Sequence, residues 1–249
     1  MKYQSPNGEI KAIENINLTV NEGEFVSIVG PSGCGKSTIL SLISGLLLPT
    51  SGQVFLYGEQ LKGPSGKAGY MLQKDHLFEW RTVWRNVLLG VEIQNSITPE
   101  IEEMASHFLR TYGLYEFRNK YPDQLSGGMR QRVALIRTLM TNPEILLLDE
   151  AFSALDYQTR LAVADDIYGI IKQEKKTAVL VTHDISEAIS MADRVLVLSH
   201  RPGTVKKIYT ISLTCKGKRS PLSSREAPEF RHYFQEIWKE LDVHVQVAK

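Results

Sequence analysis

The chain has 249 residues, 29 Lys and Arg against 28 Asp and Glu for a net charge of +1, and 43% hydrophobic residues, a globular profile that sets aside disorder, collagen and coiled-coil rods. At this length a core can be buried without staples, and the two cysteines, Cys34 and Cys215, make neither a disulfide framework nor a zinc cluster. The near-neutral charge argues against nucleic acid as a partner, and neither a signal-peptide core nor an apolar run of about eighteen residues is present, so a reducing cytoplasm is expected and any membrane role runs through another protein.

In chain order, Ile16–Val20 alternates like a strand, Asn21-Glu22-Gly23 punctuates, and Phe25–Val29 reads as a buried strand ending at Gly30. A helix is expected from Gly35 to Leu47, with Ile39, Leu42, Ile43 and Leu46 on one face and Pro49 and Gly52 as the stop. Further strands are expected at 53–57, 68–72, 145–148, 178–182 and 194–198, and helices near 98–112, 126–140, 153–175 and 184–192. Strands alternating with helices predict an α/β core, and the strand-poor stretch of about 75–140 reads as an inserted helical subdomain. Lys216–Pro221 reads as an exposed basic linker. Beyond it Phe230, Tyr233, Phe234, Ile237, Trp238 and Leu241 form one helical apolar stripe, which either docks on the chain's own body or faces a partner or membrane.

Chemistry first declares itself at Gly30-Pro31-Ser32-Gly33-Cys34-Gly35-Lys36-Ser37, which matches G-x-x-x-x-G-K-[ST] and lies between a buried strand and a helix. Glycines let backbone N–H groups curl around phosphate oxygens, the helix N-terminus adds its positive end, Lys36 reaches the β- and γ-phosphates, and Ser37 can ligate Mg²⁺. Thr38 follows in the first helical turn. Cys34, close to a helix N-terminus, is expected to have a lowered pKa, which leaves a redox role conceivable. Ile145–Leu148 is an apolar strand ending in Asp149 and Glu150: the first carboxylate is aimed at Mg²⁺ and the second at an attacking water. The two motifs together, in this order, identify a P-loop NTPase.

A second anion nest follows from Leu125-Ser126-Gly127-Gly128-Met129-Arg130-Gln131-Arg132, where Ser126 can cap a helix and Gly127 and Gly128 expose N–H groups. This segment resembles the LSGGQ-type signature of ATP-binding cassette proteins, a resemblance that covers about residues 3–212. It implies an α/β fold: a P-loop core with a mixed sheet, an antiparallel β subdomain and the inserted α-helical subdomain. The ATPase domain would then be 1–212, and 213–249 the linker and terminal amphipathic helix. By the same resemblance Gln73 is the Q-loop residue contacting Mg²⁺ and water, Ser153-Ala154-Leu155-Asp156 is the D-loop, and His183 contacts the γ-phosphate, a role that an imidazole donor suits. Tyr3 resembles the aromatic that stacks on adenine. The family has another strand before that aromatic, whereas two residues precede Tyr3 here, so either the start lies further upstream or the edge is shortened.

The resemblance also implies that ATP is closed between the P-loop of one copy and the signature segment of a second, reversed copy. The interval from Lys36 to Asp149 is too short for the heptad-bearing insertion of DNA-repair cassettes, one P-loop does not fit two-cassette translation factors, and exporter-type membrane helices are missing. A separate importer ATPase remains, with permease subunits as partners and a solute-binding protein acting through them, placed at the cytoplasmic face of the membrane. The segment Leu77-Phe78-Glu79-Trp80-Arg81-Thr82-Val83-Trp84-Arg85-Asn86-Val87 resembles the stretch after the Q-loop in the nitrate, sulfonate and taurine group, which includes vitamin-precursor importers, with Glu79 in place of the usual Pro. Its aromatics fit either a groove for a permease helix or the core. The other reading left open is an ATP-driven switch for a soluble regulatory or nucleic-acid partner. No residue reads the transported compound.

Overall fold

The computed structural model describes residues 1–5 and 8–241. The chain opens with an antiparallel hairpin of β1 (Lys2–Ser5) and β2 (Gly8–Lys11), followed by β3 (Phe25–Val29), the glycine loop and α1 (Lys36–Ile43). A short antiparallel pair, β4 (Phe55–Leu56) and β5 (Glu59–Gln60), precedes β6 (Ala68–Met71). Helices α2 (Val83–Val87), α3 (Leu89–Ile93), α4 (Pro99–Thr111) and α5 (Gly127–Leu139) come next. The remainder is β7 (Ile145–Asp149), α6 (Tyr157–Gln173), β8 (Thr177–Val181), α7 (Ile185–Met191), β9 (Arg194–Leu198), β10 (Val205–Thr210), α8 (Pro221–Arg225) and α9 (Phe230–Glu240). No helix among the described residues is long and apolar enough to cross a membrane.

The chain divides into two compact units, residues 1–65 with 177–249, and residues 66–176. In the first, β3 pairs in parallel with β8 on one side (Phe25 opposite Ala178) and with β9 on the other (Val26 opposite Arg194), and β10 closes the edge antiparallel to β9. A strand enclosed on both sides reads as a continuous apolar run, and every residue of β3 is buried. α7 packs against β3, and α8 and α9 pack against α7. In the second unit β6 and β7 are parallel, with Ala68 opposite Ile145. Helix α5 packs against β6, and α2, α3, α4 and α6 pack against α5. The approach is close at Gly69, where a Cβ would stand 2.6 Å from Thr138 Cγ2 and 2.8 Å from Pro143 Cγ.

Several expectations change. Ile16–Val20 keeps its alternation, with Ile16, Leu18 and Val20 half-buried between exposed Asn17 and Thr19, yet forms no strand. Alternation reports which face is covered, not whether a neighbouring backbone completes a ladder. The helix of the glycine loop stops at Ile43, not Leu47. Gly45 takes the left-handed conformation that ends helices (φ +77°), with its Cα pressed so closely on Gly63 that a Cβ would fall 1.9 Å from the Gly63 carbonyl oxygen. Leu46 therefore leaves the helical face and is exposed. The expected strand at 53–57 shrinks to β4, while β1, β2, β5 and β10 are additions. Arg219, expected in a free basic linker, instead donates to the carbonyl oxygen of Ala192 at 2.6 Å and to Asp193 Oδ1 at 3.3 Å. The terminal stripe docks mainly on the chain itself: Ile237 is buried, while Trp238 stays about half exposed and stacks on Phe234.

Candidate functional site

In the first unit, β3 delivers the chain to Gly30 and α1 begins at Lys36. Gly33 and Gly35 adopt φ of +73° and +105°, which side chains resist. Gly35 is also crowded: a Cβ there would meet Ile13 Cγ2 at 2.4 Å and the Ala12 carbonyl oxygen at 3.1 Å. At Gly30 a Cβ would meet Cys34 Sγ at 2.7 Å and Leu198 Cβ at 3.0 Å. The buried Lys36 ammonium donates to the carbonyl oxygens of Gly30 and Pro31 at 3.0 and 3.1 Å. Ser32, Gly33 and Ser37 are exposed along the loop. Tyr3, on β1, is half-buried, and its hydroxyl lies 3.1 Å from Thr38 Oγ1, so the hairpin brings the aromatic to the first turn of α1.

A buttress that the sequence reading missed lies beneath this loop. Gly203 donates to the Ala12 carbonyl at 2.9 Å and accepts from the Glu14 N–H at 3.0 Å, and a Cβ on it would fall 2.1 Å from the Cys34 carbonyl oxygen. Nothing in the sequence around Gly203 marks that contact. Cys34 is 1% exposed, and burial pushes its thiol above the ordinary range, against the lowering by nearby Lys36. The expected activation of this thiol is thus reversed: desolvation of the thiolate outweighs the helix terminus and the lysine. His183 follows β8, is exposed, and precedes Asp184, whose carboxylate caps α7 by accepting from the N–H groups of Ser186 and Glu187 at 2.8 and 3.1 Å.

In the second unit β7 ends at Asp149 and Glu150 follows it, both half-buried. Glu150 sits at φ +46°, a left-handed conformation uncommon for a side-chain-bearing residue and concentrated at functional sites. Tyr70 on β6 donates its hydroxyl to Asp149 Oδ2 at 3.1 Å, and Gln73, just past β6, donates to Glu150 Oε2 at 3.3 Å and to Ser153 Oγ at 3.2 Å. Parallel pairing of β6 with β7 thereby brings Gln73 to the acidic end of β7. Tyr70 was not singled out from the sequence; its place one residue before the end of β6 is intelligible only from the pairing.

Ser126 caps α5, its Oγ accepting from the Met129 N–H at 3.3 Å, with Ser126 and Gly127 exposed. The following glycines lie against Leu155 and α6: a Cβ on Gly127 would stand 2.9 Å from Leu155 Cδ2, and one on Gly128 2.7 Å from Val163 Cγ2. Asp156 caps α6 by accepting from the Thr159 N–H at 3.1 Å. Each residue suggested for Mg²⁺ offers oxygen, the chemistry that this hard cation takes: the Ser37 hydroxyl in the first unit, and the Gln73 amide oxygen and the Asp149 carboxylate in the second. Near Gln73, Leu77, Val83 and Val87 are buried, whereas Phe78 and Trp80 are exposed and stacked with ring centroids 4.8 Å apart.

The ABC transporter family profile matches residues 13–153. The chain belongs to the ABC transporter family. It is similar to the nitrate import ATP-binding protein NrtD of Synechocystis sp., with 42% identity over 92% of this chain and 88% of that protein. It is also similar to the taurine import ATP-binding protein TauB of Roseobacter denitrificans, with 37% identity over 95% and 89%. Among solved structures, the dimeric post-hydrolysis state of the ATP-binding cassette MJ0796 bound to ADP and Pi aligns with a TM-score of 0.71 and 33% identity, covering 85% of this chain and 95% of that one. This ABC chain is therefore an ATPase with the P-loop α/β fold, grouped with the nitrate and taurine import cassettes.

Proposed function

We propose that this ABC ATPase powers uptake of a small solute of the nitrate, sulfonate or taurine kind, or of a vitamin precursor, by closing as a head-to-tail dimer on ATP beneath a permease. The observation that carries the catalytic part is the Gln73 amide held on Glu150, a glutamate in a left-handed turn directly after the strand that ends in Asp149. In this reading the Gly30–Thr38 loop, through the backbone N–H groups of all its residues but Pro31, and the Lys36 ammonium bind the phosphates, the ammonium exchanging the Gly30 and Pro31 carbonyls for phosphate oxygens. Ser37, Gln73 and Asp149 would hold Mg²⁺, which supplies positive charge against the phosphate oxygens when bound. Glu150 accepts a proton from the attacking water, and Gln73 orients that carboxylate. His183 donates to the γ-phosphate, and Tyr3 stacks on adenine.

Ser126, Gly127 and Gly128 at the α5 N-terminus, with Asp156, serve the nucleotide held by the second copy. The exposed Phe78–Trp80 stack is the surface for a permease segment, since paired aromatics on a surface are anchors of protein interfaces. The solute-binding protein acts through the permease, and the subunit sits peripherally at the cytoplasmic face. Expression with the adjoining permease genes tests the reading: recovery in one detergent-solubilised complex is expected, with Trp80→Ala reducing it. A nucleic-acid-stimulated ATPase recovered without any polytopic partner would overturn it.

A further inference from the structure

The segment between the Gln73 contact and the exposed aromatics is held by α5, the helix that Ser126 caps. Arg130, one turn into α5, donates its main-chain N–H to the Ser126 carbonyl at 3.0 Å. Its guanidinium forks onto Asp75, Nε to Oδ2 at 2.9 Å and Nη2 to Oδ1 at 3.2 Å, and Nη2 also reaches Glu79 Oε1 at 2.8 Å. Asp75 Oδ1 in turn accepts from the Leu77 N–H at 3.0 Å. Arg137, two turns further along α5, donates to the carbonyl oxygens of His76 and Asp75, both at 2.7 Å. At the far end, fully buried Asn86 accepts from the Phe78 N–H at 2.8 Å and donates to the carbonyl oxygens of Phe78, Arg81 and Thr82 at 3.0–3.1 Å.

These bonds tie the 75–81 segment to both sides of the stacked pair of Phe78 and Trp80. A bidentate guanidinium fixes direction as well as distance, which a lysine cannot do. We propose that Arg130 is a positioning residue: its fork on Asp75 and Glu79 couples the anion nest at Ser126 to the aromatic tip, so that nucleotide engaged at the nest orders the tip and a partner docked on the tip sets the nest. Glu79, whose Oε1 accepts from Arg130 Nη2 at 2.8 Å, supplies the outer arm of the fork. The inference rests on the reading of Ser126 as a nucleotide contact of a second copy. Coupling between the two sites is necessarily reciprocal.

The test is amide hydrogen exchange by mass spectrometry on the full chain carrying Glu150→Gln, with and without ATP and Mg²⁺. ATP is expected to slow exchange of the peptide spanning 74–81 by about tenfold, within the usual range of such couplings, along with the peptide holding Ser126. Arg130→Lys in the same background should leave the Ser126 peptide protected while protection of 74–81 falls to about twofold or less. Glu79→Gln, a change at a half-exposed side chain, should give an intermediate loss, which answers the question even where Arg130→Lys folds poorly. Undiminished protection of 74–81 in both variants overturns the coupling and leaves the importer reading intact. An unprotected Ser126 peptide in the Glu150→Gln parent removes the two-copy site, and the inference falls with it.

Discussion

The glycine loop of the first unit and the acidic site of the second are built in opposite ways. From Gly30 to Thr38 the candidate binding groups are consecutive, and the surroundings mainly enforce smallness, as Ile13 and Ala12 do at Gly35 and as Cys34 and Leu198 do at Gly30. The second site is assembled from segments far apart in the chain: Tyr70 on β6 and Gln73 just past it, Ser126 capping α5 and Arg130 on it, and the stretch from Asp149 at the end of β7 to Asp156 capping α6. A consecutive loop is sensitive to backbone freedom; an assembled site is sensitive to the side chains that bridge its parts.

The largest expected effect lies in the assembled region. Glu150→Gln should cut ATP turnover by about 10²–10⁴-fold, the range for removing a general base, while nucleotide binding persists; turnover within a few-fold of wild type would remove Glu150 from its role. In the loop, Gly35→Ala should destabilise the chain by at least about 2 kcal/mol and weaken ATP binding, since left-handed strain and contact with Ile13 and Ala12 act together. Gly33→Ala has a similar φ but nothing within 4 Å of the added Cβ, so about 1 kcal/mol of strain alone is expected. Equal losses of melting temperature in the two variants would show that crowding around Gly35 contributes nothing.

A third contrast uses pH. Burial pushes the Asp75 carboxyl upward, but the Arg130 hydrogen bonds, the Leu77 N–H and the charges of Arg130 and Arg137 outweigh it and hold the group below its ordinary value. A carboxylate depressed in this way contributes stability that is fully present above its unfolded pKa and is lost as pH falls through its folded one. The melting-temperature gap between wild type and Asp75→Asn should therefore be constant near neutrality and narrow as pH drops below about 4. A gap that does not change with pH would remove the charge contribution of the fork. The smallest effect concerns Cys34: its buried thiol should react with a thiol reagent roughly 100-fold more slowly in the native than in the unfolded protein. Prompt native labelling assigned to Cys34 by peptide mapping would restore the redox possibility.

Legibility followed the same division. The strands expected at 194–198 and, to within one residue, at 68–72 were readable from their apolar runs, as were the helices near 98–112 and 184–192, and at Ser126 apolar period and capping residue agree. The end of α1 was misplaced because Gly45 acts through its contact with Gly63, which no local pattern reveals. The strand expected at Ile16–Val20 failed because an extended, alternating segment still needs a neighbour to pair with. Tyr70 and Arg130 carry no periodic or motif signal of their own bonds; they are found only when β6 lies beside β7 and α5 beside the 75–81 segment.

By itself the sequence determined the glycine loop between strand and helix, the carboxylates at the end of the apolar strand, the helix capped by Ser126 and hence the family, because each is a run of neighbouring residues whose chemistry depends on spacing along the chain. Only the tertiary structure decided that Gln73 rests on Glu150, that the Cys34 thiol is desolvated rather than activated, and that Arg130 grips the segment leading to Phe78 and Trp80. Those outcomes depend on which distant segments share space and which groups lose their water, quantities set by packing and not by order along the chain.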